Sequence, residues 1–198
     1  MSAERCAFAV ETTALTKIYG DKAAVKQLDL RVREGEIYGF IGRNGAGKST
    51  TLKMLCGLAS PTEGEIRLFG KPVNDSLVGQ RLGVLIESAG AYPHLTARQN
   101  VMMKAICMGL ADDKSVDEVL GMTGLADAGR KKVKHFSMGM KQRLGVALAL
   151  LGNPDMLVLD EPVNGLDPEG IRELRQLFLR LQEEGKTILL SSHILGEL

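Results

Sequence analysis

The sequence predicts an α/β fold with a mainly parallel core sheet, and three observations predict it. A glycine-rich loop, Gly42-Arg43-Asn44-Gly45-Ala46-Gly47-Lys48-Ser49-Thr50, stands between the apolar run Ile37-Tyr38-Gly39-Phe40-Ile41 and the segment Thr51-Leu52-Lys53-Met54-Leu55. Met156-Leu157-Val158-Leu159 is an unbroken apolar stretch, as a strand buried on both faces of a parallel sheet requires, and it runs straight into Asp160-Glu161. Between the two, from Thr96 onward, the apolar spacing turns helical.

The loop has the spacing G-x-x-x-x-G-K-S between a strand and a helix. Its glycines let the backbone curl around an anion in conformations that side chains oppose. The N–H groups of the loop and of the helix start then converge, where the helix dipole also favours negative charge. Lys48 adds a mobile point charge for the terminal phosphates, and Ser49 offers a hydroxyl to a phosphate-bound Mg²⁺. Residues 42–50 therefore read as a nucleoside triphosphate site.

The elements follow in order. Residues 8–13 and 25–32 read as strands, the second alternating Leu28, Leu30 and Val32 against Asp29, Arg31 and Arg33. Such alternation suits an antiparallel sheet with one wet face. Between them, Lys17-Ile18-Tyr19-Gly20-Asp21 reads as a loop, and Tyr19 is either a half-buried loop aromatic or a stacking platform for a purine. The loop helix stops at Gly57, residues 60–64 form a turn, and residues 65–69 and 82–86 are further strands. Thr96 with Gln99 and Ser115 with Glu118 have the spacing of capping boxes, and Val101, Ala105 and Met108 share one helix side. The methionines 102, 103, 108 and 122 read as adaptable core filling, with a partner-facing groove as the alternative. The basic run 130–134 reads as a solvated face, or as a contact for anionic lipid or protein.

Phe136-Ser137-Met138-Gly139-Met140 opens a helix with small residues Gly145, Ala147 and Ala149, which ends at Gly152-Asn153-Pro154. Asp167-Pro168 starts the next helix as N-cap and first residue, with Ile171, Leu174, Leu177, Phe178 and Leu181 as its buried stripe and Gly185 as its stop. A final strand spans residues 186–192, and His193 sits past its carboxyl end.

Ligands of α/β sheets collect at the carboxyl ends of the parallel strands. Here those ends carry the glycine loop, Glu87, Asp160-Glu161 and His193. Phosphoryl transfer needs held phosphates, a metal and a group that orients water. Asp160 suits the Mg²⁺ shell, Glu161 suits orientation of water and uptake of its proton, and His193 suits the γ-phosphate or the support of Glu161. Ser137 and Gly139 at a helix start form a second anion site, whose simplest use is in trans on nucleotide held by a facing copy.

Net charge is only +1 over 198 residues, so no nucleic-acid partner is implied. Cys6, Cys56 and Cys107 lack metal-ligand spacing and read as reduced, mostly buried thiols. The first residues lack signal-peptide organisation, and no apolar run approaches the roughly 20 residues that span a bilayer, so the chain is expected to be cytoplasmic. The last residues, Leu195-Gly196-Glu197-Leu198, look like the opening of a helix that the natural protein continues.

With its motifs in this order, the chain resembles the ATP-binding subunit of an ABC transporter over almost its whole length. Residues 42–49 match Walker A and residues 156–160 Walker B. The resemblance makes Glu161 the catalytic glutamate, Asn164-Gly165-Leu166-Asp167 the D-loop, His193 the switch histidine and Tyr19 the adenine-stacking aromatic. It implies a P-loop NTPase fold: an ATP-binding core of residues 1–86 and 155–198 with an N-terminal antiparallel β subdomain, an inserted α-helical subdomain of about residues 87–154 carrying the signature, and a C-terminal part of the family domain missing. It also implies ATP and Mg²⁺ as cofactors and a separate transmembrane permease as partner. A head-to-tail dimer with a like subunit would close on ATP, at the inner face of the cell membrane.

Two departures stand out. The signature, usually L-S-G-G-Q, is Phe136-Ser137-Met138-Gly139-Met140, keeping Ser137 and Gly139. The Q-loop glutamine is replaced by Glu87, an acceptor-only group that could join the Mg²⁺ shell but would repel phosphate. Glu87 with Tyr92-Pro93-His94-Leu95-Thr96 resembles the subgroup that exports bacitracin or lantibiotics and gives self-immunity. The alternatives are a non-transport ABC ATPase of DNA repair or translation, or a regulatory nucleotide-binding module without turnover. Only 50 residues separate Glu87 from Ser137, too few for the long coiled-coil insertion of repair members, and Glu161 with His193 speaks against loss of turnover.

Overall fold

The computed structural model describes residues 8–110 and 112–193. Cys6 and the expected helix opening at residues 195–198 lie outside the described residues. Two four-stranded sheets and the helices packed on them make up the fold.

The first sheet is antiparallel, in the order β2-β1-β4-β5, from β1 (Phe8–Tyr19), β2 (Lys22–Arg33), β4 (Glu63–Leu68) and β5 (Lys71–Pro72). The alternation of β2 holds, with Leu30 and Val32 buried against exposed Asp29, Arg31 and Arg33. Val25 also points inward although it is out of phase with them, because the ladder slips near Ala14 and Gln27, which both take positive φ. Such a bulge resets the inward face by one residue. The sequence reading of residues 17–21 as a loop is corrected. Lys17, Ile18 and Tyr19 pair with β2, so that only Gly20 and Asp21 turn.

The second sheet is wholly parallel, in the order β3-β8-β7-β6, from β3 (Ile37–Ile41), β6 (Leu82–Leu85), β7 (Met156–Leu159) and β8 (Thr187–Ser192). All residues of β7 and β8 are buried. Alternate residues of β7 serve two cores. Leu157 and Leu159 pack with the helical side, while Met156 and Val158 pack with Leu52, Leu55, Leu68 and the first sheet. The parallel sheet is thus the middle layer, which explains its unbroken apolar sequence.

Helix α1 (Lys48–Leu55) follows the glycine loop and buries Thr51, Leu52, Met54 and Leu55. A short helix α2 (Ser76–Gly79) precedes β6. Then come α3 (Ala97–Cys107), α4 (Asp113–Met122) and α5 (Met138–Leu150), and finally α6 (Pro168–Glu183) between β7 and β8. The Thr96–Gln99 capping box is present in both directions. The Ser115–Glu118 box is not: Asp112 caps α4 by accepting the Ser115 N–H at 2.7 Å, because aspartate three residues earlier competes well for the N-cap. Met108 is a further correction. It is 43% exposed as the C-cap of α3, while Val101 and Ala105 are fully buried. Cys107 is exposed too, against the expectation of mostly buried thiols. No helix among the described residues is long and apolar enough to cross a membrane.

Candidate functional site

Parallel order places the four polar strand ends side by side. The glycine loop follows β3, His193 follows β8, Asp160-Glu161 follows β7 and Glu87 lies two residues past β6. The loop is tied to its neighbour by the Gly42 N–H, which donates to the Ser192 carbonyl at 3.2 Å. Gly47 is the N-cap of α1 with φ +89, and a Cβ there would lie 2.3 Å from the Ala24 carbonyl. Only glycine fits both the left-handed backbone and the close approach of β2.

A cavity of about 440 Å³ opens over this loop, lined by Asn44, Gly45, Ala46, Gly47, Lys48, Ser49 and Thr50 with Tyr19, Lys22, Ala24 and Glu161. That volume suits a nucleotide-sized ligand. Gly42 and Arg43 do not line it. Their carbonyls accept from the Lys48 ammonium, at 2.5 and 3.4 Å. Tyr19 is 52% exposed at the cavity rim, with the Lys17 ammonium 5.0 Å from its ring centre.

Glu161 joins the chemistry together. Its Oε1 lies 3.5 Å from Lys48 Nζ and its Oε2 lies 2.8 Å from His193 Nδ1. A carboxylate only accepts, so His193 carries its proton on Nδ1. The residue has φ +49, a left-handed conformation that costs energy outside glycine and marks sites where geometry is imposed. Two side chains impose it. The Glu161 N–H donates to Ser191 Oγ at 2.9 Å, and the Glu161 carbonyl accepts from Gln142 Nε2 at 2.9 Å. Ser191 in turn donates to Asp160 Oδ1 at 2.5 Å, so one fully buried hydroxyl orients both acidic residues. Asp160 is placed from the other side by its N–H, which donates to the Leu85 carbonyl at 2.7 Å.

Ser191 and Gln142 were missed as site residues in the sequence. The signal for Ser191 was present: two hydroxyls ending a buried apolar strand need partners, because buried polar groups do not go unpaired. Gln142 gave no such signal, since a glutamine in the first turns of a helix is ordinarily solvated.

Glu87, Asp160 and Glu161 line a neighbouring cleft of about 400 Å³ with Met138, Gln142 and Asn164. Glu87 has φ +63, and its carboxylate pairs with the Lys53 ammonium of α1. Among the described residues, no group of three acidic, histidine or cysteine side chains forms a ready metal cage. Ser49 lines the loop cavity and Asp160 the neighbouring cleft, and a hydroxyl and a carboxylate are oxygen donors of the kind Mg²⁺ takes, one or two at a time beside phosphate and water. Ser137 and Gly139 do not reach the loop cavity. Ser137 Oγ accepts the Met140 N–H at 3.2 Å as the cap of α5, and Gly139 packs against Leu166 and Gly165.

A parallel sheet with a glycine-rich loop at one strand end and Asp160-Glu161 at another defines a P-loop nucleotide-binding protein of the α/β class. Residues 25–164 match the ABC transporter family, and the chain belongs to that family. It is 49% identical over 192 residues to the bacitracin transport ATP-binding protein BcrA of Bacillus licheniformis, covering 96% of this chain and 63% of that one. It is 40% identical to the lantibiotic transport ATP-binding protein SrtF of Streptococcus pyogenes, covering 92% and 79%. The chain thus spans 63% of the length of the bacitracin-type relative. Among solved structures, it matches a dimeric ATP-binding cassette in a post-hydrolysis state bound to ADP and Pi, with a TM-score of 0.85 and 29% identity over 95% of this chain and 89% of the other.

Proposed function

We propose that this chain hydrolyses ATP to drive a separate membrane-spanning permease of the bacitracin or lantibiotic export and self-immunity type. The observation that carries hydrolysis is Glu161, held in a left-handed backbone by Ser191 and Gln142 and set between Lys48 and His193. A carboxylate fixed so firmly beside a phosphate loop is a group prepared to orient water. The loop N–H groups and Lys48 bind the triphosphate, and Tyr19 stacks on the base. Ser49 and Asp160 would hold Mg²⁺, with Glu87 as a further candidate oxygen donor, and the metal would neutralise phosphate charge when bound. Lys48 then trades the Gly42 carbonyl and Glu161 for phosphate oxygens. Glu161, steadied through Nδ1 of His193, takes the proton of the attacking water.

The transport assignment is supported by the printed functions of the bacitracin and lantibiotic relatives. Residues 1–86 and 155–198 serve as the ATP-binding core, and about 87–154 as the helical subdomain that faces the permease. None of residues 136–140 lines the loop cavity, so Ser137 and Gly139 act on nucleotide held by a second copy or a similar subunit. The pair works at the cytoplasmic face of the membrane. In Glu161→Gln, ATP binding is expected to persist while turnover falls at least about a hundredfold, the low end for loss of a general base. Unchanged turnover overturns the assignment. Coupling is read in the same variant, as lost bacitracin or lantibiotic tolerance in cells that also express the permease.

A further inference from the structure

We propose that Lys53 is a positioning residue that neutralises Glu87, so that nucleotide binding tolerates a carboxylate at this strand end. The inference rests on residues 42–50 being the triphosphate site. Three carboxylates, those of Glu87, Asp160 and Glu161, line one cleft at adjacent strand ends. A triphosphate brought to the same edge adds several more negative charges, and like charges at such range oppose binding. Asp160 and Glu161 have their own partners in Ser191, His193 and Lys48. Glu87 has Lys53, and among the described residues it forms no other ion pair.

The placement of Lys53 follows from helix geometry. It lies four residues after Ser49 on α1, one turn further along the same face, so that the helix presenting the metal-binding hydroxyl also presents this ammonium. Glu87, in a left-handed backbone, meets it as its ion-pair partner. Side-chain exposures of 32% for Lys53 and 67% for Glu87 make the pair a poor contributor to folding stability. Its effect is on local charge: a carboxylate with a bound ammonium presents to phosphate roughly what a neutral amide presents.

A double-mutant cycle tests this, reading affinity for a fluorescent ATP analogue with Mg²⁺ alongside the melting temperature. Lys53→Met is expected to weaken binding about tenfold in the wild-type background and twofold or less in the Glu87→Gln background. Lys53→Arg keeps binding within about twofold, and none of these variants melts appreciably lower. Equal losses from Lys53→Met in both backgrounds, or no loss in either, overturn the proposal. Lys48→Ala separates the two levels: if it binds the analogue as well as wild type, the triphosphate site itself is wrong, whereas the cycle reads only the pair.

Discussion

At the scale of the residue, the site depends on a few groups whose roles come from what they touch rather than from their type. Ser191 is the clearest. Its hydroxyl accepts from the Glu161 N–H and donates to Asp160 Oδ1, with no exposure to solvent. Ser191→Ala removes both bonds and leaves the strained Glu161 backbone held through its carbonyl alone, by Gln142 Nε2 and the Asn164 N–H. A hydrogen bond to a charged group is worth about 1.5–3 kcal/mol. The expected result is a fall in kcat of about 10- to 100-fold with little change in nucleotide affinity, measured by steady-state ATPase and equilibrium binding. The thiols separate in the same way. Burial pushes the Cys56 thiol up to about 12, whereas Cys107 is exposed. Thiolate is the reactive form, so below pH 9 Cys56 is almost wholly unreactive thiol. In a Cys6→Ser background at pH 8, Cys107 should react with a disulfide reagent at least about a hundred times faster than Cys56, read by mass spectrometry. Comparable rates would show that the Cys56 site opens readily. The acidic and phosphate-binding residues were legible in the sequence because each is a residue type placed at a strand end. Gln142 and Lys53 were not, and Ser191 was only as a buried hydroxyl in need of a partner, because the roles of all three lie in contacts across 19, 34 and 30 positions.

At the scale of the element, local pattern predicted types well and boundaries less well. β2 and the stripe of α6 are readable because one face of each is buried, which imposes a period on the sequence. The misread residues 17–19 are strand only because β2 pairs with them, and the α4 cap went to Asp112 because two capping residues competed within one turn. Gly83 shows what pattern alone does not contain. It interrupts the apolar strand β6, and nothing near it in sequence asks for glycine. In the fold, a Cβ at this position would stand 2.1 Å from the Ala149 carbonyl of α5 and 2.8 Å from the Pro154 ring. The helix end therefore seats directly on the sheet. Gly83→Ala should force β6 and α5 apart and cost about 1–3 kcal/mol, the range for overpacking a filled core. Thermal unfolding should show a drop of several degrees; an unchanged melting temperature would mean that the α5 end is free to move. Since β6 leads to Glu87 and its Leu85 carbonyl holds Asp160, turnover should also fall in the folded fraction.

At the scale of the whole molecule, strand order turns separate motifs into one edge. Pairing of β3 with β8 joins residues about 150 positions apart, so the neighbours of the glycine loop cannot be found from its own surroundings in the chain. The same edge shows what a single copy lacks. Glu161 reaches the loop cavity and Ser137 does not. Ser137 caps α5, and its helix start, with Gly139 against Leu166 and Gly165, lies away from the loop cavity. A facing copy can meet it, and the matched post-hydrolysis cassette is itself dimeric. If the proposed composite site is right, Ser137→Arg places a long cation where the other copy's phosphate would sit. ATP affinity of the monomer should remain within about threefold of wild type, because no residue of 136–140 contacts the loop cavity. ATP-dependent dimerisation should disappear, seen by sedimentation in a Glu161→Gln background that prevents turnover. A Ser137→Ala control in that background keeps the size of the site and should weaken the dimer without abolishing it. If Ser137→Arg sediments as a dimer with ATP, the second copy does not bind through this segment and the composite site is wrong.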